Sequence, residues 1–532
     1  MLLKRKFEIF LLLVFFLLSF WLMNKSFGYD PSKNEFRIAR HEVGDFGLHL
    51  SLIRSFSWGS NIPVESPFFP GKPLPYHYYF DLLVGLLEKI GLRIDVAFNG
   101  LSIFFFTALL FLIYKIPQLI FNKSKLLGIT SVILFVFHSS LTFLDFIKDK
   151  KLNLSLINDF WRLPDYIHKG PFDNSLISIF FTLNVFLNQR HLIAGLAISL
   201  FIFYFVIKNI NKNLNSTALI VLGLILGLSS RFHTLIFLST SVTLFFLLLL
   251  FKRSRFMLFI FVPALLVFAF HARDILNQNL THTFFSPGFL AEQPLTLLSF
   301  SKFWLLNLGL AVVFIPLGFL ISNSNQRKIF LSFFPLFIFG NLFQVSFRID
   351  HNHSIFNFFL IFANFYVSFL LFNIWNKKLL GKIFFLFFLF LLTFSGLIDL
   401  MAVKNDFQLR LKDAPSDKFI FWIKENTSRN AIFLSKEGIL DPITLSGRKN
   451  YMGHRYYISV MGYNFAGREE KVKKFYEVSN IKTLEEMKKE GISYIVVPVN
   501  KIQDFSYSVN TTFLKDNIPL IYIDKNVLVF KL

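Results

Sequence analysis

Eleven blocks of nearly uninterrupted apolar residues divide the chain, at 7–23, 98–119, 126–145, 191–208, 216–230, 233–251, 256–271, 303–322, 329–346, 354–374 and 381–400. A membrane-crossing helix takes about 20 such residues, and ~17 is the usual minimum. The pattern therefore predicts a polytopic α-helical membrane protein of about 11 transmembrane helices, with the 216–230 block short and 256–271 marginal. After residue 404 the pattern changes. Apolar runs of β type occur at Ala431–Leu434, Tyr494–Val499, Leu520–Ile523 and Val527–Phe530, and helix-like periodicity near 416–425, 468–478 and 482–490. These predict a small α/β domain over 405–532, following a transmembrane domain over 1–404 whose longest connection is 24–97.

Charge orients this layout. The 55 basic and 33 acidic residues leave a net +22, but the basic residues form small clusters between apolar blocks rather than one patch, which argues against a nucleic-acid partner. Lys123 with Lys125, Lys208 with Lys212, Lys252-Arg253 with Arg255, Arg327-Lys328, and Lys377-Lys378 with Lys382 all fall on one side if crossings alternate. The long connections 24–97, 146–190 and 272–302 all fall on the other. The positive-inside rule then places the N-terminus in the cytoplasm and the tail domain outside it. The run Phe7–Met23 lacks the small-x-small ending of a cleaved signal peptide, so it reads as an uncleaved first span. Composition agrees: 54% of residues are apolar and 17% charged, against roughly 25% charged in soluble domains, which excludes a soluble enzyme and a disordered chain. With no cysteine, disulfides, thiolate metal sites and cysteine nucleophiles are excluded.

Ionisable residues are nearly absent from the spans, so any chemistry belongs to the outer boundary, where all twelve histidines fall. The first outer loop is the richest stretch. In Arg40-His-Glu-Val-Gly-Asp45-Phe-Gly-Leu-His49, Asp45 is placed to N-cap an amphipathic helix in which Phe46, Leu50, Ile53 and Phe56 share one face, a helix suited to lie along the membrane surface. An ordinary surface-loop cap explains the same periodicity. A Pro-rich ordered segment follows, reaching Pro75-Tyr-His77-Tyr-Tyr-Phe-Asp81. Asp45/His49 and His77/Asp81 are each spaced four apart, one helix face, and together offer a divalent-metal set (Mg or Mn); hydrogen-bonded scaffolding is the commoner use of such pairs. Cations at outer positions are few: Arg231 beside His233, Arg348 in Phe347-Arg-Ile-Asp-His351, and Arg190 at the start of the fourth span. Arginine's planar fork suits phosphate, while interfacial snorkelling and contact with membrane lipids are the plainer roles.

A first span, a long outer loop with an acidic residue opening a helix, many further spans and an outer tail domain together resemble the GT-C glycosyltransferase superfamily. The stretches Gly44-Asp45-Phe-Gly-Leu-His49-Leu through Pro73-Leu-Pro75-Tyr-His77-Tyr-Tyr-Phe-Asp81, and in the tail Phe421-Trp-Ile-Lys-Glu-Asn-Thr427 and Leu445-Ser-Gly-Arg448, are similar to those of poorly characterised bacterial members. The resemblance implies an inner or plasma membrane enzyme that moves a sugar from a polyprenyl-phosphate donor to a glycan, lipid or protein acceptor. It implies an acidic general base in the first loop. Many members carry an Asp-Glu pair there; here Glu42 and Asp45 are separated, so Asp45 is the first candidate and Glu42 the second. His49, His77, Asp81, Arg190, Arg231, His233, Arg348 and His351 are then the candidate substrate contacts. Two other classes stay open: a lipid-linked glycan flippase or exporter, and a non-catalytic envelope assembly protein.

Overall fold

Each of the eleven apolar blocks forms helix in the computed structural model, which describes residues 2–151, 153–168, 176–276, 284–499 and 507–532. Residues 169–175 and 277–283 of two long connections lie outside the described residues. Among the described residues, six helices are long and apolar enough to cross a membrane: Lys6–Ser26, Ile94–Phe121, Arg190–Asn209, Ser254–Arg273, Ile349–Trp375 and Leu379–Asn405. The protein is thus multi-pass. A seventh crossing arises if Leu297–Leu308 and Ala311–Leu320, bent by 91°, count as one. The bend falls at Gly309, whose φ of +54° is a left-handed conformation that glycine adopts without strain. Lys125–Val136, Ser216–Ser229 and Thr234–Leu250 are shorter, and Ser324–Leu342 does not pass as a crossing. The expected count of about 11 crossings is therefore not established. At 1.5 Å per residue a 12-residue helix reaches only about 18 Å, short of a bilayer core.

The helix Ile349–Trp375 is the hub of the bundle. Its apolar stretch is 89% buried, against 28% for Lys6–Ser26, which lies at the rim. Phe203, Phe333, Phe358 and Phe362 stack around the hub, so much of the phenylalanine excess fills the helix interfaces.

The first loop and the tail are built into each other. Strand Phe27–Asp30 pairs antiparallel with Glu35–Ala39, whose other edge takes Gln408–Lys412 from the start of the tail. The tail then forms a five-stranded sheet in the order Leu520–Ile523, Val527–Lys531, Tyr494–Pro498, Ile432–Leu434, Lys449–Asn450. Helices Lys418–Asn426, Ala466–Val478 and Ile481–Lys489 accompany it, matching the periodicity of the sequence. Leu52, Phe68, Phe69 and Leu74 of the loop share one apolar core with Tyr457, Ile458 and Phe475 of the tail. Buried Arg54 seals the joint: its guanidinium lies 2.7 Å from Asp413 of the tail, 3.2 Å from Glu88 of the loop, and over the Trp58 ring. The tail thus packs against the first loop through a shared core and a shared sheet.

The loop helix Val43–Ser57 also departs from expectation. Eleven of its fifteen residues are buried, so it is an internal strut rather than an amphipathic surface helix. Gly47 makes this fit possible, since a Cβ there would stand 2.3 Å from the Ile439 carbonyl and 2.5 Å from the Tyr457 hydroxyl. The apolar spacing of Phe46, Leu50, Ile53 and Phe56 is real, but tail residues cover the other face.

Candidate functional site

Several helix ends meet where the loop and tail join the bundle, and a cavity of about 280 Å³ opens there. Asp45 and His49, one turn apart on the loop helix, line it from one side. Tyr76 and His77 enter from the Pro-rich segment, His191 from the start of Arg190–Asn209, and His233 from the turn before Thr234–Leu250. His351 and His353 come from the start of the hub helix, and Tyr456 and Tyr457 from the tail. Helices Ile94–Phe121, Arg190–Asn209 and Ile349–Trp375 all begin at this end. The basic turns between helices lie at the opposite ends of the same helices.

Asp45 is not the N-cap. Glu42 holds that position without a side-chain capping bond, and Asp45 falls in the first turn. There the partial positive charge of the helix start favours its carboxylate. Burial raises the Asp45 carboxyl above its ordinary value, while the positive charge of His49 pulls it back. A carboxylate tuned upward is a better proton acceptor near neutrality.

The residues of the two expected four-spaced pairs take other partners, and one His–Asp pair forms across the loop. His49 Nδ1 lies 2.9 Å from Asp81 Oδ2, both side chains buried. Burial opposes an imidazolium at His49, but the Asp81 carboxylate and its hydrogen bond outweigh that and hold His49 above its ordinary value. His77 does not share a helix face with Asp81, because that helix starts only at Tyr79. His77 instead stacks with His233, ring centroids 4.7 Å apart, and lies 4.2 Å from the His191 ring. Burial pushes His77 well below its ordinary value, and the neighbouring His233 and His49 add to this. The expected metal set of Asp45, His49, His77 and Asp81 therefore does not gather. Among the described residues, the group placed to hold a metal is His77, His191 and His233, with ligand atoms all within 4.8 Å of one another.

The three expected arginines are engaged elsewhere. Arg190 is fully buried; it donates to the Leu187 carbonyl at 2.7 Å and the Ser26 hydroxyl at 2.5 Å and reaches Met23, so it ties its helix to the first span. Arg231 donates to the His271 carbonyl at 2.6 Å and the Tyr76 carbonyl at 3.4 Å. Arg348 forks onto Asp350 at 3.0 and 2.7 Å and donates to the Tyr456 hydroxyl at 2.9 Å, joining the bundle to the tail. Among the described residues that line the cavity there is no arginine or lysine. Isolated cations at outer positions suggest a phosphate clamp in sequence, but in the structure these arginines donate to backbone carbonyls, to the Ser26 and Tyr456 hydroxyls and to the Asp350 carboxylate.

Glu42, the second acid, is buried and absent from the cavity lining. Burial pushes its carboxyl well up, against the pull of the Arg190 charge. Periodicity did not single out His191, His353, Tyr456 or Tyr457. The signal available for the histidines was their concentration at span ends; for the tail tyrosines the sequence held none, since only the fold of the tail brings them to the cavity.

No protein-family model matches the chain, and no curated protein does. Among solved structures, it is similar to the oligosaccharyltransferase of Archaeoglobus fulgidus. The form tethered to an acceptor peptide containing the NVT sequon aligns over 93% of this chain and 69% of that one, at 10% identity and a TM-score of 0.49. The apo form aligns over 93% and 70%, at 13% identity and a TM-score of 0.43. Likeness at this level carries no argument about chemistry, which rests on the residues of the cavity.

Proposed function

We propose that the protein is a GT-C-type membrane glycosyltransferase that moves a sugar from a polyprenyl-phosphate donor to an acceptor at the outer membrane–water interface, with inversion. The observation that carries this reading is the position of Asp45. Its carboxylate lines a cavity formed where helix ends meet a folded loop and tail, next to His49 held by Asp81. A lipid-borne donor needs such a site, at the level of helix ends and open to a water-side acceptor.

In the proposed step, Asp45 takes the proton of an acceptor hydroxyl as that oxygen bonds to the anomeric carbon. The bond from that carbon to the phosphate oxygen breaks, and its electron pair stays on the lipid phosphate. A single displacement of this kind inverts the anomeric centre. His49 faces the developing phosphate charge, and Asp81 orients its imidazole and favours the imidazolium. The half-buried ring of Tyr76, beside His49 with centroids 6.4 Å apart, supplies a flat wall for a sugar face.

Purified full-length protein in lipid vesicles, given a panel of labelled polyprenyl-phosphate sugars and mixed acceptors, tests the assignment. Label passing to an acceptor supports it. Movement of the intact lipid-linked sugar across the vesicle without transfer would make the protein a flippase, and neither result would leave an assembly role.

A further inference from the structure

We infer that His77, His191 and His233 form a binding site for one divalent transition-metal ion of the zinc class, open to the cavity at its fourth position. The three residues come from separate parts of the chain: the segment before a loop helix, the first turn of a span, and a turn between two apolar helices. Their ligand atoms already lie within 4.8 Å of one another. Ring centroids stand 4.2, 4.7 and 5.4 Å apart. Three imidazoles on a tetrahedral ion, with metal–nitrogen bonds of about 2.0 Å, put their centroids roughly 5 Å apart. The rings are therefore near the required spacing before any ion arrives.

Their unused nitrogens point the same way. His77 Nε2 and His191 Nδ1 are buried and have no hydrogen-bond partner among the described residues. Leaving a buried polar atom unmatched costs about 1–3 kcal/mol, so a pair of such atoms calls for a missing ligand. His233 Nδ1 accepts the Ile236 N–H at 3.4 Å, a long cap that ligation through Nε2 would exchange for a metal bond. Three imidazoles with no carboxylate among them suit zinc or cobalt and suit magnesium poorly, since magnesium prefers oxygen ligands.

Three protein ligands leave one position free, and it would face a cavity whose described lining has no arginine or lysine. That this position takes a phosphate oxygen rests on the transfer reading above; metal binding itself does not.

The test loads chelator-stripped full-length protein with zinc or cobalt(II) and measures metal retained after gel filtration. One ion per chain is expected. His191→Gln and His77→Asn should each weaken binding at least about tenfold, while Asp81→Asn should leave it unchanged. X-ray absorption of the zinc-loaded native protein needs no variant and should show a shell containing imidazole nitrogens. An all-oxygen shell, no retained ion, or loss in Asp81→Asn with retention in His191→Gln would overturn the site. Metal bound as described without any sugar transfer would remove the transferase reading and leave the site standing; transfer at full rate by metal-free protein would overturn the phosphate-oxygen role of the fourth position and leave metal binding to be decided by the retention and absorption results.

Discussion

Glu42 and Asp45 open the same helix three residues apart, and burial raises both carboxyls, yet only Asp45 lines the cavity. Glu42 is sealed under the loop, near Arg190 and Asp406. Nearby, Arg40 reaches Asp165 and Asp406 to fasten the loop to the bundle. Asp45 looks into a cavity of imidazoles and phenols. One turn of helix therefore separates a carboxyl buried in a fastening from one that can meet a substrate. Acidity alone does not mark a base; access does.

The largest expected effect breaks this contrast directly. Asp45→Asn should cost transfer roughly 10²–10⁴-fold, the usual loss for a general base, with the melting temperature little changed because Asp45 caps nothing. Glu42→Gln, which imitates the protonated acid, should keep transfer within a few-fold. If the Gln protein were dead and the Asn protein active, the base would be Glu42.

Arg54→Ala tests the platform that holds both acids. It strands Asp413 and Glu88 in a buried joint, and breaking such a pair costs about 3–5 kcal/mol. A denaturant melt showing less than about 1 kcal/mol of change would mean that the loop and tail are held by apolar contact alone.

Gly47→Ala acts on one region more than the other. Its methyl would press on the Ile439 carbonyl and Tyr457 hydroxyl, a crowding worth about 1–3 kcal/mol. Because it pushes Tyr457, which walls the Asp45 cavity, transfer should fall more than stability does. Equal losses in both would place Gly47 in the fold only.

The smallest effect is expected from Tyr457→Phe. The Tyr457 hydroxyl donates to the Gly44 carbonyl, between the two acids, and an ordinary hydrogen bond of this kind contributes about 1 kcal/mol. A modest loss of stability with altered acceptor affinity is the expected pair of results. An unchanged acceptor KM would show that the tail does not shape that side of the cavity.

The sequence by itself determined the apolar blocks, the segregation of basic turns from long connections, and the strands and helices of the tail. Each follows from local periodicity, which neighbours in the chain carry in full. It also pointed to the first loop, because acids and histidines concentrate there. Only the tertiary structure decided how those residues pair. His49 meets Asp81 rather than Asp45, and His77 meets His191 and His233, more than 110 residues away along the chain. Arg190 reads in sequence as an exposed cation at a span end, but packing buries it against the first span. The tail tyrosines reach the cavity because a strand pairing and one glycine let the tail close on the loop helix. Contacts between distant segments depend on burial and shape, which a local pattern of polar and apolar positions does not contain.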